Sequence, residues 1–362
     1  MNRFLNLLSV TAMLLVVCVS CETDFDTTAP YQDITVVYGL LDPKDSMQYI
    51  KINKAFLSED NVLRYAMMED SNSYPFPMDV TVEEFTPSGV LAKIHYFDTT
   101  TIYNKEPGLF YNPEQVIYRW QKPAFPIEVI PILDYSQLPP DTLGFEYFWL
   151  NTDNRYKLTI RNPETDKLIY SESLLLKDVE FTRPQTHIHT IRFVTNPQTV
   201  REFTWKRVDN AGKYEFELRF NYRELDFGST DTIDRYVTLA TSSFYGSSGS
   251  STLSSYFSDD RFYTLSRNRI PYTDPARESQ VKDRFSGPVN LIVSAAEDQF
   301  AFYLQVNEPS TSIVQEKPQY SNIENGIGIF SSRIKKVRFL RLHSESVVDL
   351  QQMEENVLKF RF

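Results

Sequence analysis

Cysteine is nearly missing from this chain of 362 residues: the two present, Cys18 and Cys21, both fall within the first 21 positions. The body that follows has no thiol to serve as a disulfide partner, a nucleophile or a metal ligand. It must be held by its own core, and the length suffices for two domains of ordinary size. Positive charge is also in deficit, with 37 Lys+Arg against 48 Asp+Glu and a formal net charge of −11. Loss of Arg3 with an N-terminal leader would make the balance more negative still. That argues against nucleic acid as a partner, because phosphate contacts need a basic patch or stripe. It also argues against direct adsorption to anionic lipid heads. Acidity of this kind keeps a protein soluble and specifies no cation. Long apolar runs are confined to residues 4–19. That run is too short to cross about 30 Å of hydrocarbon as a retained helix, which takes roughly 20 apolar residues.

The apolar run is instead expected to be a leader. Arg3 supplies a positive n-region, residues 4–19 an apolar h-region, and Cys18-Val19-Ser20-Cys21 puts a small residue directly before a cysteine, where signal peptidase II would cut. Cys18 stands where this signal commonly has Leu, and Val17 makes Cys18 the poorer acceptor. The expectation is a leader over 1–20, a lipidated Cys21 and a polar tether over 21–30. Acyl chains contribute about 0.8 kcal/mol per buried CH₂ and would hold a soluble body on a membrane without further apolar surface.

Beyond the tether, Tyr and Phe are abundant and glycine is scarce, and period-two alternation recurs, the pattern of half-buried antiparallel strands. In residues 213–220, Tyr214, Phe216, Leu218 and Phe220 alternate with Lys213, Glu215, Glu217 and Arg219. Tyr156, Leu158 and Ile160 follow the same rule. So do Val90, Ala92, Ile94 and Tyr96, and at the end Leu358, Phe360 and Phe362, each set expected to face a core. Turn residues separate these runs, as in Thr86-Pro87-Ser88-Gly89 and Asp209-Asn210-Ala211-Gly212. Helical signal is limited to a short stretch through Arg64 to Met68, with Ser58 as N-cap, and another over 346–355. Residues 122–140 are Pro-rich and irregular, and read as a surface insertion.

A composition change at Thr182-Arg183-Pro184-Gln185 marks a division. The fold class expected is all-β, with two β-sandwich-like domains in tandem over 31–182 and 187–362 and a few short helices. Phe203-Thr204-Trp205 followed by Lys213-Tyr214-Glu215-Phe216 resembles the second and third strands of a fibronectin type III sandwich, in which a buried Trp packs on an aromatic of the next strand. Thr241 to Ser258, with a Ser/Gly run at Ser242 to Ser251, reads as a flexible stretch such a sandwich does not need.

Three features resemble a known group: the signal at Cys21, the segment from Val37-Tyr38-Gly39-Leu40 to Lys51-Ile52-Asn53-Lys54-Ala55-Phe56, and Ser321-Asn322-Ile323-Glu324-Asn325-Gly326-Ile327-Gly328-Ile329-Phe330. Together they are similar to the Bacteroidota lipoproteins of domain of unknown function 4249. The resemblance implies a β-rich outer-membrane lipoprotein with no assigned activity, often linked with TonB-dependent receptors. It supplies no catalytic residues. It also implies surface display through Glu22, Asp24 and Asp26, and O-glycosylation at triplets starting at Asp26, Asp45, Asp98, Asp141 and Asp231.

No motif names a reaction. His187 and His189 share one side of a strand, but further metal ligands are missing nearby, and no metal or cofactor is assigned. Asn325-Gly326-Ile327-Gly328 lacks the third glycine and helix of a dinucleotide fingerprint and reads as a turn or bulge. Gly246-Ser247-Ser248-Gly249-Ser250 misses the nucleophile-elbow spacing. The neighbours Glu83 and Glu84, and Asp259 and Asp260, point to opposite faces and read as solvated charge rather than a hydrolytic dyad. Phe244, Tyr245, Tyr256 and Phe257, flanking the Ser/Gly stretch, are the expected ligand or partner contacts, half of them tucked into the sandwich edge. The function expected is binding or assembly at the outer membrane, with a glycan, a peptide or a receptor as partner. An adhesin or structural subunit is a variant of it, and a hydrolase or a closed membrane barrel the rivals.

Overall fold

The computed structural model describes residues 33–55, 62–103, 108, 111, 114–134, 141–246, 250–273, 275–308, 319–353 and 358–361. Cys21, the tether, Ser58 and Phe362 lie outside them. The chain begins with β1 (Thr35–Leu41), β2 (Tyr49–Lys54), α1 (Val62–Ala66) and α2 (Glu69–Asn72), then β3 (Asp79–Phe85), β4 (Leu91–Ile102) and β5 (Gln115–Trp120). A hairpin of β6 (Glu128–Asp134) and β7 (Asp141–Phe148) precedes β8 (Arg155–Arg161) and β9 (Leu168–Leu174). After β10 (Phe181–Arg183) and β11 (Thr190–Ile191) come β12 (Val200–Lys206), β13 (Ala211–Asp226), β14 (Thr232–Tyr245), β15 (Thr252–Ser258) and α3 (Asp260–Thr273). The last elements are β16 (Val281–Glu297), α4 (Asp298–Asn307), β17 (Gly326–Leu342), α5 (Ser344–Gln352) and β18 (Phe360–Arg361). The protein is mostly β, with 52% strand against 14% helix.

One mixed sheet runs in the order β14-β13-β16-β17-β1-β2-β5-β4-β3-β8-β9, with β11 on β17 and β18 on β16. β10-β12-β15 form a second sheet, and β6-β7 a third. The strands of the two halves are therefore joined at β1 and β17, which pair in parallel from Thr35↔Gly326 to Leu41↔Ser332. Residues 333–340 of β17 then pair antiparallel with β16. The first half curls on itself. Its last strand, β9, meets the segment before β17, where Tyr170 and Glu324 exchange backbone hydrogen bonds of 3.2 and 2.8 Å. Ser171 Oγ donates to Asn322 O at 2.8 Å and Ser332 Oγ to Leu174 O at 2.7 Å alongside.

Two hydrophobic cores result. The first holds buried residues between Val37 and Leu175 together with Ile323 and Phe330, and the second holds residues from Leu176 to Phe360. Leu175 and Leu176 thus serve different cores. In the second, Trp205 on β12 stacks on Phe216 of β13 at 5.5 Å, which lays the three-stranded sheet face-on against the large one. Alternation in β13 is as expected, with Tyr214, Phe216, Leu218 and Phe220 buried. Residues 122–134 lie outside the main sheet, but they are not irregular throughout: Glu128–Asp134 forms β6, which pairs with β7 alone.

The phase of β4 is opposite to expectation. Val90 and Tyr96 are exposed, while His95 and Phe97 are buried. The register explains it: Val80 lies opposite Phe97 and Val82 opposite His95, so these residues share the core face of an antiparallel pair. Likewise, most of 241–258 is strand rather than flexible stretch, since β14 runs to Tyr245 and β15 resumes at Thr252. Ser247, Ser248 and Gly249 lie outside the described residues.

Candidate functional site

The four aromatic residues expected to make contacts divide evenly. Phe257 is 1% exposed and meets Phe193 edge-on at 5.9 Å, and half-buried Phe244 meets Trp205 edge-on at 5.4 Å. Strand alternation sends one member of each adjacent pair inward. Tyr245 and Tyr256 remain at the surface, on different sheets. The Tyr245 hydroxyl donates to Glu308 Oε1 at 2.8 Å with the Lys213 ammonium over its ring, and the Tyr256 hydroxyl donates to Glu202 Oε1 at 3.3 Å.

Two carboxylates read as solvated are in fact buried. Glu84 is 8% exposed, its Oε2 is 2.8 Å from His95 Nε2, and its Oε1 accepts from Asn154 Nδ2 at 2.6 Å. Burial pushes this carboxyl upward, but the bonds from His95 and Asn154 outweigh it and hold the group below its ordinary value. The free space beside His95 is a cavity of about 10 Å³, too small for any substrate, so the pair is structural. Asp259, fully buried, accepts from Arg201 Nε at 3.0 Å and Nη2 at 2.7 Å. Neither acid has its sequence neighbour beside it in a cleft. His187 is exposed and His189 half-buried. Among the described residues no group of three or more His, Cys, Asp or Glu side chains is gathered to hold a metal ion. Asn325 takes the left-handed turn before β17 (φ 60°), while Gly328 lies inside the strand with φ 122°.

Sequence reasoning missed a cavity of about 500 Å³ on the outer face of β1 and β2. Val37, Ile50 and Ile52 point into the first core, so alternation turns Val36, Tyr38, Lys51 and Asn53 outward to form its floor. Its rim is α2 with Glu69, Asn72 and Ser73, then Tyr111, Glu114 and Gln115 ahead of β5. Buried Asn72 holds the rim: its Nδ2 donates to Ala66 O at 2.9 Å and Met68 O at 3.0 Å, and its own carbonyl accepts from Asn53 Nδ2 at 2.9 Å. Tyr111 N donates to Ala66 O at 3.0 Å. Lys54, Glu69 and Glu114 carry no ion pair among the described residues, so their charges face the cavity unpaired. The Tyr111 hydroxyl is raised by desolvation and by Glu69 and Glu114. Tyr38 continues the wall toward α4, meeting Tyr303 edge-on at 6.4 Å, and the Tyr303 hydroxyl is pushed up to about 12 by burial and by its bond with Tyr38.

This lining offers ammonium and amide donors, two carboxylate acceptors and two phenol rings, with no histidine or cysteine. Such a surface suits a polar ligand of many hydroxyl or amide groups. Glu69 and Glu114 are both exposed. Little along the chain signals the site, because its residues are polar positions brought together by the pairing of β1, β2 and β5.

A second surface lies on the β6–β7 hairpin. Ile127, Val129, Phe145 and Tyr147 are exposed on one side of it, and Phe125, beside them in sequence, is 80% exposed. Glu146 on the other side ties the hairpin down through Lys44 Nζ at 3.3 Å and Lys336 Nζ at 2.7 Å. Among the described residues no helix is long and apolar enough to cross a membrane. Compared with known proteins, the chain matches no family model and no curated protein.

Proposed function

We propose that this chain is a lipid-anchored binding or accessory protein of the outer membrane, displayed at the cell surface through an acylated Cys21 and working beside an outer-membrane receptor of the TonB-dependent kind. The cavity over β1 and β2 carries the binding part of this reading: about 500 Å³ lined by Tyr38, Tyr111, Lys54, Glu69, Glu114 and Gln115 suits a glycan or peptide. The apolar side of the β6–β7 hairpin supports the accessory part, since a face of this kind marks an interaction surface. The reading fits a member of the group of domain of unknown function 4249. The stacking of Trp205 on Phe216 supports a fibronectin type III-like arrangement in the second half.

Titration of the full chain against glycan and peptide libraries tests the binding part. A ligand held by the native chain should bind about tenfold more weakly to Tyr38→Ala, the loss of one buried aromatic contact. Finding no ligand, or one indifferent to Tyr38→Ala and Glu114→Gln, would sink the reading. Crosslinking from native membranes with a Cys21→Ala control tests the anchor and the receptor. Because Glu69 and Glu114 share one cavity, glycan hydrolysis is the second reading, and turnover lost in both Glu→Gln variants would establish it.

A further inference from the structure

We infer that a separate cleft between α3 and β14 binds an anionic glycan, one carrying carboxylate or sulfate groups on successive sugars. The cleft measures about 300 Å³ and is lined by Thr238, Thr241, Ser242, Tyr256, Arg261 and Arg269, with Leu239 and Ala240 between. β14 is the terminal strand of the large sheet. A bulge in β14, opposite Leu218 and Arg219 of its partner, leaves Leu239 without a mate and bends the strand at this point. The bend leaves a run of hydroxyl-bearing side chains on the cleft wall. Tyr256 adds a ring that is 64% exposed, with its hydroxyl anchored on Glu202.

Two guanidinium groups complete the cleft on a chain whose net charge is −11. Arg261 is exposed and has no carboxylate partner among the described residues; it stands over the edge of the core at Phe257, 5.9 Å from that ring. Arg269 reaches across to the carbonyl of Thr238, which fixes α3 beside β14. Among the described residues no acidic side chain is part of the lining, and the Thr238 hydroxyl donates to Glu217 Oε1 at 2.7 Å. A pyranose presents an apolar face and many hydroxyls, which match one exposed phenol ring and a wall of Thr and Ser. Its carboxylate or sulfate matches a planar guanidinium, which binds oxyanions in a fork. An apolar anchor pocket of the sort a peptide side chain needs is missing from the lining. Arg261 and Arg269 are eight residues apart on one helix, about 12 Å along its axis. An oligomer reaching from Arg261 along the Thr and Ser wall to Tyr256 makes contacts that a single sugar cannot, so it should bind more tightly than its monomer.

The cleft lies on the second half and shares no residue with the cavity over β1 and β2, so the two sites stand or fall independently. Calorimetric titration of the full chain would use tetragalacturonate, a sulfated tetrasaccharide, galacturonate monomer, a neutral maltotetraose, sodium sulfate and a tetraglutamate peptide. Binding of one or both anionic tetrasaccharides is expected, the stronger naming the oxyanion. Affinity should fall about tenfold or more in Arg261→Gln and in Tyr256→Ala, and the dependence on salt should weaken in the former. Arg261 and Tyr256 are surface residues, and an unchanged melting temperature would show that the variants fold. Failure of both anionic tetrasaccharides to bind overturns the inference. So does binding unaffected by these variants, equal binding of free sulfate, of the monomer or of the neutral sugar, or preference for tetraglutamate, which would make the cleft a site for acidic peptides.

Discussion

At the scale of single residues, the chain buries a carboxylate that the string Glu83-Glu84 reads as solvated. Glu84 and His95 face each other across β3 and β4 inside the first core, and Asn154 completes the acceptor's partners. Removing one member of such a group strands the others without water. Glu84→Ala should therefore destabilise the fold by about 3 kcal/mol at neutral pH, read by denaturant unfolding. The carboxyl is held below its ordinary value of 4.5. Its ionised form is thus favoured by the folded state, a gain present above that value and lost as pH falls through the lowered one. Wild type should lose stability on acidification below about pH 4.5, and Glu84→Gln should lose distinctly less over the same range. A parallel acid loss in both would show that other carboxylates govern. None of this was legible in Glu83-Glu84 as a string, because a charged residue at a core phase is recognisable only once its cross-strand partner is known.

Among the elements, β17 does the most to set the architecture. Its first seven residues bind β1 in parallel and bury Phe330 in the first core, and the remainder binds β16 and buries Ile334 and Leu340 in the second. Close approach to β1 depends on Gly328, whose φ of 122° suits glycine and whose added Cβ would come within 1.9 Å of Val37 O. Gly328→Ala should cost about 3 kcal/mol, through backbone strain and a steric clash that no rotamer relieves. Thermal melts followed by circular dichroism would check it, and a change under 1 kcal/mol would mean that β1 and β17 part easily. The motif was visible in the sequence as two glycines after an Asn. Only Asn325 serves the turn that motif suggested; Gly328 serves a contact between strands separated by some 290 positions, which local patterning does not encode.

For the molecule as a whole, what joins the halves is partly electrostatic. Lys44 and Lys336 each bridge Glu146 and Asp178, at 3.3 and 2.6 Å for the first and 2.7 and 2.8 Å for the second. Four segments distant in sequence meet there, and Arg338 nearby donates to the carbonyls of Gln185 at 2.6 Å and Ile188 at 2.8 Å, strapping down the junction between the halves. Burial lowers the Lys336 ammonium, but Asp178 and Glu146 outweigh that and raise it above its ordinary value of 10.5. The stabilisation it provides is complete below that value and lost as pH rises through the raised one. Lys336→Met should destabilise the protein by about 2 kcal/mol at pH 8, with a smaller further loss than wild type between pH 9 and 11.5 in thermal melts. Equal alkaline losses would remove Lys336 from the account. By itself the sequence determined the β class, the faces of β8 and β13 and the stacking of Trp205 on the next strand's aromatic, because period-two burial and turn chemistry are local. The tertiary structure alone decided that β1 lies beside β17, that Phe257 goes inside while Tyr256 stays out, and that Tyr38, Lys54, Glu69 and Glu114 share a cavity. Each of these depends on which strands pair and in what register, and long-range pairing leaves no trace in spacing along the chain.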